Sequence, residues 1–272
     1  VVWLARAWAV VLVLGAALPA GAQTTSFAID DTTYCRQLVE LYRSVVPDVL
    51  DEDKQVGVLA RIAELARTKL NDNELAKQSY RRALELRPEN DRTLVALEEL
   101  YDESKEWEHL VDVLKRRAEI SESDDAKKHV LYRLARVCDE SIGDRDRAIG
   151  GYEQILDLGL DSPAIEALER LYAAGGRWND LVALHERELS ADTTPDARRA
   201  TINHGLGHLF REQLSETDRA FDAYAEALRI DAQHPATIGS LEKIVEAKGG
   251  GDLVQAARAA ALLEPAYLAR LD

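Results

Sequence analysis

His204 and His208 form the pair of side chains in this sequence whose type and spacing could do metal chemistry. Residues four apart on a helix share a face, so both imidazoles would reach one ion. A zinc site, however, needs a third and usually a fourth ligand. The HExxH form of metalloproteases also needs a Glu directly after the first His, where Gly205 stands. Structural histidines are therefore the expectation, and no metal site is expected. No Gly-rich phosphate loop, GxSxG elbow or Cys/His nucleophile spacing is present. Adjacent carboxylates such as Glu98-Glu99 and Asp124-Asp125 follow from an acidic content of 49 residues and read as solvated faces. Two cysteines, Cys35 and Cys138, are too few for a disulfide framework, and free thiols are expected. The sequence thus points to a non-enzyme without a cofactor.

Charge narrows the partners. A formal net charge of -15 repels phosphate and leaves no excess of Lys and Arg to release counterions, so nucleic acid is not an expected partner. Anionic lipid headgroups are disfavoured on the same ground. With 46% hydrophobic residues the chain nonetheless has material for an ordered core. Residues 1–22 differ from the rest: Arg6, an apolar run from Ala7 to Leu18, then Pro19 and Ala20-Gly21-Ala22. These are the three parts of a secretory signal peptide, shorter in their apolar run than the roughly 20 residues that span a bilayer. Cleavage after Ala22, a polar leader over 23–33 and a periplasmic or secreted protein without stable membrane insertion are the expectations. The sequence begins at Val1 and contains no Met, so a fragment and a literally read non-standard start both remain open, as does the oligomeric state.

The elements that must position any site are repeats. Leu38-Val39 returns as Leu110-Val111, Leu181-Val182 and Leu253-Val254, at spacings of 72, 71 and 72 residues. A unit repeated at a fixed period cannot bury its apolar face alone and must stack on its neighbours. Each period holds two helical hairpins. Ala76-x3-Tyr80-x2-Ala83 returns as Ala148-x3-Tyr152-x2-Ile155 and as Ala220-x3-Tyr224-x2-Ala227, which puts a small residue and a tyrosine on one helical face. Leu97-x2-Leu100-Tyr101 with Trp107 is matched by Leu168-x2-Leu171-Tyr172 with Trp178, and weakens to Leu241-x2-Ile244-Val245 in the last copy. Proline near helix starts and glycine at hairpin midpoints agree with this pattern. The reading gives helices near 34–46, 52–69, 73–87, 91–103, 106–120, 125–141, 145–158, 163–174, 177–190, 195–213, 216–230, 235–248 and 252–263. The first is a half unit.

Ala76, Tyr80, Ala83 and Pro88 carry the spacing of the second helix of the tetratricopeptide repeat family, which the chain resembles over residues 34 to about 263. Ala148 with Tyr152, and Ala220 with Tyr224 and Ala227, match in part; the Trp-marked hairpins read as divergent relatives. The resemblance implies an all-α, right-handed α-solenoid of antiparallel hairpins over 34–272. It also implies a non-catalytic scaffold that receives a partner protein or peptide in a concave groove lined by the first helix of each hairpin. Alignment on the Ala-x3-Tyr positions puts Arg61, Leu65, Arg133, Val137, Leu209 and Glu212 on that face. Leu65 and Val137 stand where members that clamp a carboxylate use Asn, which argues against such a clamp. The alternative is a structural spacer, or part of a longer array, that mediates assembly.

Overall fold

A computed structural model describes residues 31–246 and 253–268; the expected signal peptide and residues 23–30 of the polar leader lie outside the described residues. The described residues form thirteen α-helices and no strand. They fall into two compact units, one ending at Pro88 and one beginning at Glu89.

The first unit holds α1 (Asp31–Val45), α2 (Glu52–Leu65) and α3 (Asn73–Leu86). Apolar residues at helical spacing on these three helices meet in one core of Cys35, Val39, Val56, Leu59, Ile62, Leu65 and Ala83. Asp51 and Asp72 accept backbone N–H bonds from Lys54 and Leu75 and so fix where α2 and α3 begin.

In the second unit α4 (Asp91–Ser104), α5 (Trp107–Ile120), α6 (Asp124–Arg136), α7 (Arg145–Asp157) and α8 (Ser162–Gly175) pack in chain order. They are followed by α9 (Trp178–Leu189), α10 (Asp196–Glu212), α11 (Thr217–Ile230), α12 (Pro235–Glu246) and α13 (Leu253–Leu268). The caps repeat with the sequence: Asn90, Ser123, Asp144 and Asp161 each accept a backbone N–H from the third residue onward. Tyr152 and Tyr224 are buried beside Ala148 and Ala220, so the small-plus-tyrosine pattern is a packing code. Arg147 ties α7 to α5 through two bonds to Glu108, at 2.6 and 2.8 Å, and also bonds Asp144 at 2.7 Å.

One turn recurs three times. The N–H of Asp72, Asp144 and Glu216 donates to the carbonyl six residues earlier, on Ala66, Cys138 and Phe210, at 2.9, 2.8 and 2.8 Å. The residue before each donor is left-handed: Asn71 at φ 53°, Gly143 at 78° and Ser215 at 58°. The bond satisfies an orphan carbonyl at the helix end and reaches one residue further back than the 6→1 bond of a Schellman turn. In the first two copies the final helical turn widens into a π-turn, Ala66–Leu70 and Val137–Ile142, where the sequence reading expects regular helix. A second difference lies in α13, which runs through Pro265 to Leu268 instead of ending before the proline. The recurring Leu-Val pair is buried in the middle copies, whereas Leu253 is 85% and Val254 66% exposed. Cys35 and Cys138 are buried free thiols.

Candidate functional site

Within the second unit, two pockets of nearly equal size occupy the same place in successive repeats. One, of about 520 Å³, is walled by Trp107, Tyr132, Arg133 and Arg136 over a floor that includes Val137. The other, of about 510 Å³, is walled by Trp178, His204, Gly205 and His208 over Leu209. Trp107 and Trp178 are 71 residues apart, and the other members correspond at a spacing of 72. The physical origin is simple. The tryptophan begins the second helix of one hairpin, and the remaining wall is the first helix of the next, so each pocket is the seam between stacked hairpins.

Charge is neutralised in the first pocket. Arg133 donates to Glu98 at 2.7 Å and to Asp102 at 3.2 Å. Arg136 reaches both oxygens of Glu140, at 3.2 and 3.3 Å, and this pairing raises its already high pKa. The Tyr132 hydroxyl donates to Asp161, and burial together with that bond pushes its pKa well up. A ligand here would meet aromatic surface flanked by arginines whose carboxylates it could displace, an arrangement suited to a polar or acidic peptide.

In the second pocket His204 stands in the place of Tyr132, Gly205 in that of Arg133 and His208 in that of Arg136. His204 Nε2 lies 3.0 Å from the Ser240 hydroxyl on α12, and its ring lies 5.7 Å from that of His234. Burial lowers its pKa, and the neighbouring His234 and His208 lower it further. His204 and His208 line one pocket, and Ser240 engages one of the two ring nitrogens of His204.

The six residues read from sequence separate into different environments. Arg133, Val137 and Leu209 line the two pockets, the latter two as floor residues only 8% and 6% exposed. Leu65 belongs to the core of the first unit, where it offers a ligand almost no surface. Arg61 pairs with Glu64 at 2.7 Å, and Glu212 pairs with Arg211 at 3.3 Å. Sequence reasoning missed Trp107, Trp178, Tyr132, Arg136, His204 and His208 as pocket walls. Their signal was the 71-residue return of tryptophan, which alignment on a single helix of each hairpin passes over.

Two family models described as tetratricopeptide repeat match residues 56–90 and 164–199. The first match covers α2 and α3. The second falls on the Trp-marked hairpin of α8 and α9, the half of the period that the sequence reading takes as the more divergent. Among solved structures, the chain is similar to YrrB, described as a TPR protein with an unusual peptide-binding site. The identity is 16%, the coverage 75% of this chain and 99% of that one, and the TM-score 0.35. It is also similar to a tetratricopeptide repeat protein from Parabacteroides merdae, at 17% identity, 86% and 78% coverage and a TM-score of 0.32. A third similarity is to Pseudomonas aeruginosa pilF, at 14% identity, 79% and 100% coverage and a TM-score of 0.32. No curated protein matches the chain. No helix among the described residues is long and apolar enough to cross a membrane.

Proposed function

The chain carries tetratricopeptide repeats, and from that premise we propose that it is a non-catalytic scaffold that holds an extended partner segment across the seams of its second unit. Repeats of this family support protein–protein interaction in general. The observation that carries the finer reading is the recurrence of a Trp-walled pocket at one repeat spacing. Aromatic residues at the centre of a seam are the usual anchors of binding energy, and two equivalent seams can read one chain at two points. The first seam favours acidic side chains beside Arg133 and Arg136, the second uncharged or aromatic ones beside His204 and His208.

Peptides selected on the purified chain provide the test. Trp107→Ala and Trp178→Ala are each expected to weaken binding by roughly tenfold or more, the loss of a half-buried aromatic anchor. Selected peptides that bind both variants as well as the wild type would sink the proposal. Export belongs to the same reading, with residues 1–22 as its signal. N-terminal sequencing of the protein recovered from the cell envelope should begin at Gln23, and an intact Val1 on that material counts against it.

Assembly through α13 is a second reading, favoured by the exposed Leu253 and Val254. Light scattering distinguishes it: self-association that disappears in Leu253→Asp plus Val254→Asp supports assembly, and a monomer at high concentration removes it.

A further inference from the structure

We propose that Glu169, His185 and Glu188 form a binding site for a divalent cation of the zinc class, in which Arg198 is the resident positive charge that the ion displaces. The proposal goes beyond peptide binding and does not depend on it. Glu169 comes from α8, while His185 and Glu188, three residues apart, share a face of α9. One ligand atom of each residue lies within 4.8 Å of the others.

His185 supplies an independent sign. Its Nδ1 is buried without a hydrogen-bond partner, and Glu169 Oε1 stands 3.6 Å away, too far for a hydrogen bond. A buried polar nitrogen left unpaired is costly, and an absent ion is one of the things that resolves such an orphan. Charge agrees. Arg198 bonds both oxygens of Glu188, at 2.7 and 2.8 Å, and one of Glu169, at 2.9 Å. Two carboxylates against one guanidinium leave the cluster one negative charge in excess, which a divalent ion in place of Arg198 would cancel.

The preceding repeat acts as an internal control. The equivalent positions, 71 residues earlier, are Glu98, Leu114 and Arg117. There Glu98 is held between Arg117 and Arg133, and Leu114 is fully buried. One repeat later a leucine has become an imidazole and an arginine has become a carboxylate, on the same framework. The positions thus hold one nitrogen and two oxygens, and the salt bridge of this repeat is made to Arg198 on α10 instead. That set, with water in the fourth position, suits zinc, whereas calcium and magnesium favour all-oxygen shells. Glu169, His185 and Arg198 line the pocket at Trp178, so water and an ion reach the cluster and Arg198 has space to turn away. The ligands lie on two helices in no motif spacing, which is why the sequence reading expects no metal.

The test is titration of the tag-free full chain with zinc chloride by calorimetry, and with cobalt chloride followed by visible absorption. One equivalent is expected. Arg198→Met should bind roughly tenfold more tightly by removing the competitor, and His185→Asn or Glu188→Gln should lose roughly tenfold or more. His204→Ala plus His208→Ala should bind as wild type does. Absence of stoichiometric binding by Arg198→Met overturns the proposal even if the His185 variant fails to fold. Binding lost only in the His204 and His208 variant, or equal binding of magnesium chloride, overturns it as well.

Discussion

Gly207 on α10 lies directly beneath the ring of Tyr224 on α11, so close that a Cβ on Gly207 would stand 2.5 Å from Cε1 and 2.6 Å from Cδ1. Tyr224 is itself fully buried and cannot retreat. Gly207→Ala is expected to lose about 1–3 kcal/mol, the usual cost of overpacking a core. Gly205, two residues earlier, has nothing within 4 Å of the same hypothetical atom. Gly205→Ala should gain up to about 1 kcal/mol from helix propensity alone. Urea denaturation of the pair tests the assignment, and equal effects of one sign would refute the close approach.

Lys105 ends α4 at φ 57°, where the sister position Gly176 ends α8 at φ 66°. A side chain in the left-handed region is strained, and glycine is not. Lys105→Gly should therefore stabilise the chain by about 0.5–1 kcal/mol, and Gly176→Ala should destabilise it by a similar amount. A fall in the denaturation midpoint of Lys105→Gly would show that the lysine does something beyond closing the turn.

Acid should weaken the fold before carboxylates protonate. The folded-state pKa of His204 is depressed by burial and by His234 and His208, so the unfolded chain takes up a proton that the folded chain resists. Its contribution is complete above the ordinary value of 6.5 and is lost as the pH falls below it. The slope stays under the one-proton limit of about 1.4 kcal/mol per pH unit, because the half-buried ring is partly screened. The groups around it are His208, His234, Tyr224 and Ser240, none a carboxylate. His204→Gln should flatten the dependence of the urea midpoint between about pH 7.5 and 5.5, a window set by the ordinary histidine pKa; an unchanged slope would assign it elsewhere.

Trp107 and Trp178 are the tryptophans of the described residues, and each stands at a pocket. A peptide seated in both seams should change the emission of Trp107→Phe and of Trp178→Phe. A peptide held by one seam should change only the variant that keeps its tryptophan there. Binding with no spectral change in either variant would locate the partner elsewhere.

The helices were legible because their signals are local. Asn90, Asp144 and Asp161 cap where the pattern expects starts, and the thirteen segments read from periodicity correspond to the thirteen found. The π-turns at Ala66 and Val137 were not legible: the third copy makes the same bond from Glu216 to Phe210 without widening, so neither the repeat pattern nor the closing bond announces them. The pockets were half legible. Arg133, Val137 and Leu209 came from alignment of one helix, but Trp107 and Trp178 join them only when a second hairpin closes the seam. The cluster at His185 was invisible for a related reason: Glu169 and His185 meet across a turn whose geometry no spacing encodes.

The three turns after α2, α6 and α10 close with asparagine, glycine and serine in one backbone conformation. Their hydrogen bonds involve main-chain atoms alone. The joints of the repeat therefore ask only for a residue that tolerates positive φ, and the walls between them are free to drift. Arginine at one seam and histidine at the next are then variations hung on a common ruler. A change of ligand preference at one seam need not disturb the spacing that presents the other, so the two can be altered, or redesigned, one at a time.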